Sequence, residues 1–441
     1  MAGPDSRLFG TDGIRGPVGG LLEPELALSL GRAIADVSDA PRPSVLVIRD
    51  TRESGPALEA AFASGVVAAG GAVFSGGVLP TPAAPLLAGL YSFDLAAVIS
   101  ASHNPWSDNG IKFFGPGGRK LDDRTEREIE RVLSDGRRPW QAEGWGRIER
   151  LNTAEADYLR ALVARFDLDL SGLRIALDCA NGSTWKVAPE IFGRLGAEVE
   201  ARAAEPDGRN INEGCGSTHM APLSEMVRDG EFDLGFAFDG DGDRVLAVDR
   251  TGSVRDGDEI MASIALHRHS AGSLGGGVAV TVMTNFGFHQ AMEAAGIEVE
   301  VTPVGDRHVS EALERRDWSF GGEQSGHLIS TDFAPTGDGL AAALALIEAL
   351  DGADLSEAVP MVRLPQELIN VRVADRNAFE SDESVLAAIR SAEEELGREG
   401  RVLVRPSGTE PLVRVMVEAP SADQAGRICA RIAEAVGSGL D

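Results

Sequence analysis

The sequence has few cysteines and few lysines, and each shortage excludes a class of protein. The three cysteines, at positions 179, 215 and 429, are too few and too far apart for a disulfide framework or for the close ligand pairs of a structural zinc site. None of the three lysines, at positions 112, 120 and 186, follows a glycine, so the phosphate-binding loop of Walker-type ATPases is absent. The cysteine usage is typical of a protein that works in a reducing compartment.

Positive charge is scarce as well, because 41 Lys and Arg residues stand against 69 Asp and Glu, for a formal net charge of -28. Such a surface repels phosphate at long range, which argues against nonspecific binding of nucleic acid. The most apolar stretch, residues 339–350, is too short to span a bilayer and contains Glu348. The N-terminus lacks the apolar run of a secretory leader. We therefore expect a cytoplasmic protein with no nucleic-acid or membrane partner.

The chain is long enough for several domains, with 441 residues of which 43% are hydrophobic. Strand and helix patterns alternate in three successive blocks, which predicts three α/β domains with mainly parallel mixed sheets. After residue 360 the pattern changes to paired strands with fewer helices, which predicts a smaller C-terminal α+β domain with an antiparallel sheet. The predicted domains are residues 1–151, 152–251, 252–361 and 362–441.

The first segment that carries chemistry is VISASHNPWSDNGIKFF, residues 98–114. An apolar strand runs into a cluster of turn-forming residues. The hydroxyl of Ser102 should therefore be exposed at the carboxyl end of a strand, which is where open α/β sheets bind their ligands. Ser102 is a candidate nucleophile, and the nearby His103 and Lys112 could bind an anion or move a proton. A serine that merely caps a turn is the alternative. The G-x-S-x-G motif of serine hydrolases is missing.

The second segment is FDGDGDR, residues 238–244, which follows another apolar strand. Glycines between Asp239, Asp241 and Asp243 let the three carboxylates converge, and such crowding of like charges requires a cation. Hard oxygen ligands in small number favour Mg2+. An EF-hand is excluded, because Arg244 and Arg250 occupy the positions of its glycine and glutamate. A solvated acidic turn is the alternative.

Two further glycine-containing loops carry side chains suited to binding, one to hydroxyl groups and the other to an anion. In GGEQSGH, residues 321–327, Glu323, Ser325 and His327 alternate in a pattern suited to sugar hydroxyls, although a surface turn would have the same composition. The loop RPSGTEP, residues 405–411, combines an arginine, two hydroxyls and a flexible glycine, which suits a dianionic phosphate; an ordinary hairpin is the alternative. The N-terminal FGTDGIRG, residues 9–16, matches no phosphate-binding pattern and reads as a plain loop.

In this order and spacing, the segments closely resemble the α-D-phosphohexomutase superfamily over essentially the whole chain. FGTDGIRG, ISASHNPWSDNGIKFF, NINEGCGSTH (residues 210–219), VGDR (residues 304–307) and GGEQSGH are similar to the branch of that superfamily that acts on glucosamine phosphates. His308 departs from the pattern, since many members have an aromatic residue after VGDR.

The resemblance implies a four-domain isomerase that interconverts glucosamine 6-phosphate and glucosamine 1-phosphate through a phosphoserine and a sugar 1,6-bisphosphate, which would serve as intermediate and activator. Its product would feed UDP-N-acetylglucosamine and cell-wall precursor synthesis. Mannose or glucose phosphates, or noncatalytic binding of a phosphosugar, are the alternatives. A homodimer is compatible with the resemblance.

The resemblance also implies a role for each candidate residue. Ser102 is expected to carry the phosphoryl group, and the expected Mg2+ ligands are Ser102, Asp239, Asp241 and Asp243. The residues expected to act on the transferred phosphoryl group are Ser102, Lys112, His103 and Arg15. The residues expected to bind the substrate are Arg244, Glu323, Ser325, His327, Arg405, Ser407, Gly408 and Thr409.

Overall fold

The structure is a computed structural model that describes residues 7–10, 12–135, 144–358, 360–376, 378–407 and 410–439. The chain divides into two compact units. Unit 1 comprises Met1–Met283 and Ile297–Val359, and unit 2 comprises Thr284–Gly296 and Pro360–Asp441.

Unit 1 begins with a mixed six-stranded sheet of order β1-β5-β4-β2-β3-β6. Its elements are β1 (Ile14–Pro17), α1 (Pro24–Val37), β2 (Ser44–Arg49), α2 (Gly55–Ala68), β3 (Ala72–Val78), α3 (Ala83–Tyr91), β4 (Leu95–Ile99), β5 (Asp108–Phe114), a 3-10 turn (Pro116–Gly118), α4 (Asp123–Ser134) and β6 (Arg147–Arg150). Strands β2, β3, β4 and β6 are parallel, whereas β5 runs antiparallel to β4 and β1. The β-branched run of β2 is buried between helices, as expected for a central parallel strand.

A five-stranded sheet of order β11-β10-β9-β7-β8 follows. Its elements are α5 (Ala154–Arg165), β7 (Arg174–Asp178), α6 (Val187–Arg194), β8 (Glu198–Arg202), α7 (Ala221–Asp229), β9 (Leu234–Phe238), β10 (Val245–Asp249) and β11 (Val254–Arg255). Strands β7, β8 and β9 are parallel, and β10 turns back antiparallel to β9. The turn between β9 and β10 is the aspartate-rich segment.

The third sheet has four strands in the order β13-β12-β14-β15. The elements of this region are α8 (Gly257–Ser270), β12 (Val278–Thr281), α9 (Phe286–Ala295), β13 (Val299–Thr302), α10 (Asp306–Arg316), β14 (Phe320–Gly322), β15 (Leu328–Ser330) and α11 (Gly339–Leu350). Helix α8 begins at a capping box, in which Asp256 and Glu259 bind each other's backbone N–H groups. Helix α9 belongs to unit 2.

The remainder of unit 2 is an antiparallel three-stranded sheet of order β16-β18-β17 with helices packed on it. Its elements are β16 (Gln366–Arg372), a 3-10 turn (Ala378–Glu380), α12 (Glu383–Leu396), β17 (Arg401–Pro406), β18 (Leu412–Glu418) and α13 (Ala422–Gly439). Alternate residues of β18, namely Val413, Val415 and Val417, face a core that also contains Ile428 and Ile432 of α13.

The predicted fold class is confirmed, with three α/β sheets and a C-terminal antiparallel sheet. The four predicted chemical loops share one feature, since each joins two antiparallel neighbours: β4 and β5, β9 and β10, β14 and β15, or β17 and β18. The reading of residues 9–16 as a plain loop is wrong for Ile14–Pro17, because this segment pairs with β5. The predicted domain boundaries stay a prediction. In the described part of the chain, every helix is too short or too polar to cross a bilayer.

A buried carboxyl group joins two of the α/β regions. Asp338 caps the N-terminus of α11 by accepting the N–H of Ala341 at 3.0 Å, and it accepts the hydroxyl of Tyr158 from α5 at 2.9 Å. Burial raises the pKa of Asp338 to about 6 from its ordinary 3.8. The folded protein therefore favours the neutral acid, and this group's contribution to stability is lost as the pH rises through about 6.

We expect Asp338→Asn to remove that loss, since the amide can still cap α11 but does not ionise. Each tenfold difference in proton affinity corresponds to about 1.4 kcal/mol. The free energy of unfolding of the wild-type protein should therefore fall by about 3 kcal/mol relative to that of the variant between acidic and neutral pH. Urea unfolding of both proteins at about pH 4 and about pH 7 measures this difference.

The matched control is Asp122→Asn at the exposed N-cap of α4. Hydrogen bonds from Thr125 lower the pKa of Asp122. Asp122 therefore stabilises the wild-type protein at neutral pH and not at acidic pH, so the difference in unfolding free energy between wild type and Asp122→Asn should change with pH in the opposite direction. Identical pH dependence in wild type and Asp338→Asn would contradict the prediction.

Candidate active site

Ser102 lies in the turn between β4 and β5, and its side chain is buried rather than open to solvent. Its backbone is left-handed, with φ of 51°, a conformation that costs a residue other than glycine on the order of 1 kcal/mol or more. Its Oγ donates a hydrogen bond to Oδ2 of Asp239 and lies 3.3 Å from Nδ1 of His103. The nucleophile candidate and the aspartate loop are therefore in direct contact.

Asp239, Asp241 and Asp243 are all buried, and one carboxylate oxygen from each lies within 4.8 Å of the others. The hydrogen bonds of the group orient the carboxylates through particular oxygens. Oδ2 of Asp241 accepts Lys112 Nζ at 2.8 Å and Thr81 Oγ1 at 2.7 Å, while Oδ2 of Asp243 accepts Lys112 Nζ at 3.4 Å.

The other oxygen of two of these carboxylates accepts no hydrogen bond. Oδ1 of Asp241 and Oδ1 of Asp243 are buried and have no hydrogen-bond partner among the described residues, although His327 Nδ1 lies 3.7 Å from Oδ1 of Asp243. Buried oxygens without a partner are costly unless an ion or water binds them. Three converging carboxylates with two such oxygens fit a hard divalent cation such as Mg2+.

The electrostatics of the cluster point the same way. Burial and the neighbouring Asp243 and Asp241 hold the pKa of Asp239 well above the usual aspartate range. Burial also disfavours ionisation of Asp243, but Lys112 and His327 hold its pKa well below that range. The basic side chains thus favour the ionised forms of Asp241 and Asp243 but do not offset the burial of Asp239, and a bound cation would favour its ionised form as well.

Basic side chains surround the serine and the carboxylates. Arg15 lies opposite Gly110 in the β1–β5 register and Lys112 follows two positions later, so both side chains lie on one face of the sheet. The N–H of Arg244 donates to Asp239 at 3.2 Å. Burial, and then Arg244 and Arg15, lower the pKa of His103, which keeps its imidazole neutral near pH 7.

The loop of residues 321–327 packs against the aspartate loop, because the N–H of Val245 donates to the carbonyl of Gly326 at 3.1 Å. His327 is buried, with Nδ1 3.7 Å from Oδ1 of Asp243. The carboxylate of Glu323 accepts the N–H of Gly305 at 3.0 Å. The Oγ of Ser325 is buried and has no hydrogen-bond partner in the described part of the chain.

Unit 2 carries the fourth predicted loop. Arg405 lies directly opposite Arg414 on the neighbouring strand, and burial together with Arg414 lowers the pKa of Arg405. The carbonyl of the buried Ser407 accepts Arg376 Nη1 at 2.5 Å. Adjacent like charges of this kind suit an anion. Two of the predicted residues, Gly408 and Thr409, lie outside the described residues.

Sequence reasoning missed several residues that complete the site. Asp12 contacts Lys112 at 3.0 Å and Lys120 at 3.1 Å, and Lys120 also contacts Asp306. Asn212 donates its amide to the carbonyl of Ser102 at 2.9 Å. A signal was available for Asp12 and Asn212 in the motifs FGTDGIRG and NINEGCGSTH, but no local pattern indicates the partners of these residues.

Glycine is required where the serine and aspartate loops meet. A Cβ on Gly240 would lie 2.5 Å from the carbonyl oxygen of Ser102 and 2.8 Å from the amide nitrogen of Asn212. Only a residue without a side chain permits this approach.

Comparisons with known proteins agree with this geometry. Four sequence profiles of the phosphoglucomutase/phosphomannomutase group match the chain: alpha/beta/alpha domain I at residues 6–138, domain II at 156–252, domain III at 256–363 and the C-terminal domain at 368–435. The phosphoglucosamine mutase of Mycolicibacterium paratuberculosis is 50% identical over 439 residues, which cover 98% of this chain and 99% of that protein.

Solved structures share the fold. A phosphoglucomutase/phosphomannomutase family protein from Burkholderia thailandensis superposes with a TM-score of 0.84 at 25% identity, covering 99% of each chain. The N-acetylphosphoglucosamine mutase of Aspergillus fumigatus, solved in complex with GlcNAc-6P and magnesium, has a TM-score of 0.69 at 19% identity and covers 100% of this chain and 97% of its own. At that identity the second likeness concerns the fold alone.

Proposed function

The chain belongs to the phosphoglucomutase/phosphomannomutase family, and from this premise we propose that it interconverts glucosamine 6-phosphate and glucosamine 1-phosphate. The observation that carries the proposal is the contact between Ser102 and the buried aspartate cluster, with Lys112 beside it. The identity of 50% to phosphoglucosamine mutases supports the choice of sugar.

In the proposed reaction, Ser102 carries a phosphoryl group. In the first transfer, the O1 hydroxyl of the 6-phosphosugar attacks this phosphorus, a P–O1 bond forms and the P–Oγ bond of Ser102 breaks, while the proton lost by O1 is balanced by one gained by the departing Oγ. In the second transfer, Oγ of Ser102 attacks the 6-phosphorus of the 1,6-bisphosphate, the P–O6 bond breaks and O6 takes a proton, so the net result is an isomerisation. His103 is neutral and lies 3.3 Å from Oγ of Ser102, so it is the candidate base for the serine proton.

Positioning and charge neutralisation supply most of the rate enhancement in phosphoryl transfer. Lys112 and Arg15 lie on one face of the sheet, and Lys112 contacts Asp241 at 2.8 Å, so both could bind the equatorial oxygens of the transferred group. Asp239, Asp241 and Asp243, with the phosphorylated Ser102, would hold Mg2+. When bound, the ion neutralises the charge of the phosphoryl group. Arg244, Glu323, Ser325 and His327 are assigned to binding of the sugar.

The test of the proposal is a comparison of kcat/KM for the purified protein on glucosamine, mannose and glucose phosphates. We expect the glucosamine phosphates to be preferred, by about tenfold or more if the sugar loop contacts the amino group. A preference for mannose or glucose phosphates would assign the chain to another activity of its family. Absence of turnover with all three would reject the proposal.

Arg405 is assigned to the phosphate that is not being transferred, because it forms a cationic pair with Arg414 next to Ser407. We expect Arg405→Ala to raise KM for glucosamine 6-phosphate by about 10- to 100-fold, which corresponds to one or two charge-assisted hydrogen bonds. The thermal unfolding midpoint should change little.

The control for this prediction is Arg390→Ala on the exposed face of α12, where the arginine pairs with Glu383 at 3.7 Å. This variant should keep the wild-type KM. If Arg405→Ala keeps it too, the loop does not bind the substrate phosphate.

A further inference from the structure

A fully buried arginine lies behind the serine loop. Arg52 follows β2, and its side chain has no exposed surface. Because Arg49 pairs with Ile99 in the parallel register of β2 and β4, Asp50 and Ser100 leave the sheet side by side. Nε of Arg52 contacts Oδ2 of Asp50 at 2.8 Å, which balances the buried charge.

All five N–H groups of this guanidinium have acceptors, and four of the acceptors belong to one loop. Besides the bond from Nε to Asp50, Nη1 donates to the carbonyls of Pro105 and Asp108, and Nη2 donates to the carbonyls of Ser102 and Asn104. The bonds from Nη2 are 2.8 and 2.9 Å long. A guanidinium has five N–H donors in a fixed planar arrangement, so these five acceptors occupy all of its donors.

The same group closes a ring of hydrogen bonds around Ser102. The N–H of Ser102 donates to Oγ of Ser100 at 3.0 Å, and that hydroxyl donates to Oδ2 of Asp50 at 2.6 Å. Asp50 accepts Arg52, and Arg52 donates back to the carbonyl of Ser102. Asn212 donates to the same carbonyl from the other side. Both backbone polar groups of the serine are thus fixed.

This ring matters because the serine backbone is strained. A left-handed φ of 51° persists only where the surroundings impose it, and here they impose it on the residue whose Oγ contacts Asp239. A buried Arg–Asp pair by itself adds little stability compared with apolar side chains, whereas it can select one conformation of a loop.

We propose that Arg52, together with Asp50 and Ser100, is a positioning group that holds the Ser102 peptide in its left-handed conformation and so aims the phosphoryl-carrying oxygen at the aspartate cluster. The proposal rests on the proposed function, since it assigns to Arg52 the orientation of that reaction's nucleophile. It predicts a loss in the rate of phosphoryl transfer with unchanged affinity for the sugar.

Two substitutions test it. Arg52→Lys keeps the charge but has three donors, so at least two of the five acceptors lose their hydrogen bond from residue 52. Ser100→Ala removes a single oxygen from the ring. We expect kcat to fall on the order of 100-fold for Arg52→Lys and about tenfold for Ser100→Ala, with KM for glucosamine 6-phosphate within about twofold of wild type. The single-turnover loss of phosphate from Ser102, followed by intact mass after mixing with glucosamine 6-phosphate, should slow by the same factors.

The matched control is Arg255→Lys, because Arg255 forms a comparable pair with the buried Asp249 at 2.7 Å and with Glu259 at 2.8 Å. If kcat falls as much in Arg255→Lys as in Arg52→Lys, the loss comes from general destabilisation of the protein and not from the position of Arg52, and the inference is overturned. Wild-type transfer rates in a folded Arg52→Lys, or in Ser100→Ala where Arg52→Lys does not fold, would also overturn it. If wild-type protein transfers no phosphate from Ser102, the proposed function itself fails.

Discussion

Replacing Ser102 by alanine should lower kcat for the glucosamine phosphates by on the order of 10⁴-fold or more, because the variant has no oxygen to carry the phosphoryl group. The fold should persist. Alanine adopts a left-handed backbone at about the same cost as serine, and the ring through Ser100, Asp50 and Arg52 binds only backbone groups of residue 102.

Three measurements check this expectation: steady-state rates, intact mass and thermal unfolding. The wild-type protein should contain a species heavier by one phosphoryl group, and Ser102→Ala should lack it. Ser107→Ala is the control, since Ser107 is exposed in the same loop and its variant should keep both the phosphorylated species and the rate. If the Ser102→Ala protein is phosphorylated and active, another residue is the nucleophile.

The elements that hold the serine and the aspartates could be predicted from sequence because their signals are local. An apolar strand followed at once by turn formers and polar side chains describes both β4 with Ser102 and β9 with Asp239. Helix α1 has a local signal as well, since its buried positions Ala27, Leu30, Gly31 and Ile34 have helical spacing.

The support of the serine loop could not be predicted, because it depends on contacts between distant parts of the chain. Arg52 binds backbone carbonyl oxygens within residues 102–108. Because every residue type has a carbonyl, this interaction does not depend on the amino-acid sequence of the loop and cannot be predicted from it. The same holds for Ile14–Pro17, whose strand character comes from pairing with β5. Local motifs reveal the groups that react, whereas their orientation depends on tertiary structure.

Removal of divalent metal should have the second largest effect on activity. We expect treatment with a chelator to lower kcat on the order of 10³-fold and added Mg2+ to restore it, because phosphoryl transfer depends on neutralising the charge of the transferred group. The Oδ1 oxygens of Asp241 and Asp243, which accept no hydrogen bond from the described residues, are already oriented, since the opposite oxygens are held by Lys112 and Thr81. Oriented ligands bind a cation without further ordering of side chains.

Binding can be measured apart from turnover. Titration of the chelated protein with Mg2+ should raise its thermal midpoint, with a stabilisation of about 2.7 kcal/mol at a concentration one hundred times Kd. Asp241→Asn should weaken this binding by removing one charge from the cluster, and Asp229→Asn, at an exposed residue paired with Arg228, should leave it unchanged. Activity that persists in chelator, combined with no stabilisation by Mg2+, would mean that the protein's own cations, among them Lys112, His327 and Arg244, balance the three buried carboxylates. The two Oδ1 oxygens without a hydrogen-bond partner in the described part of the chain would then need another explanation, such as bound water.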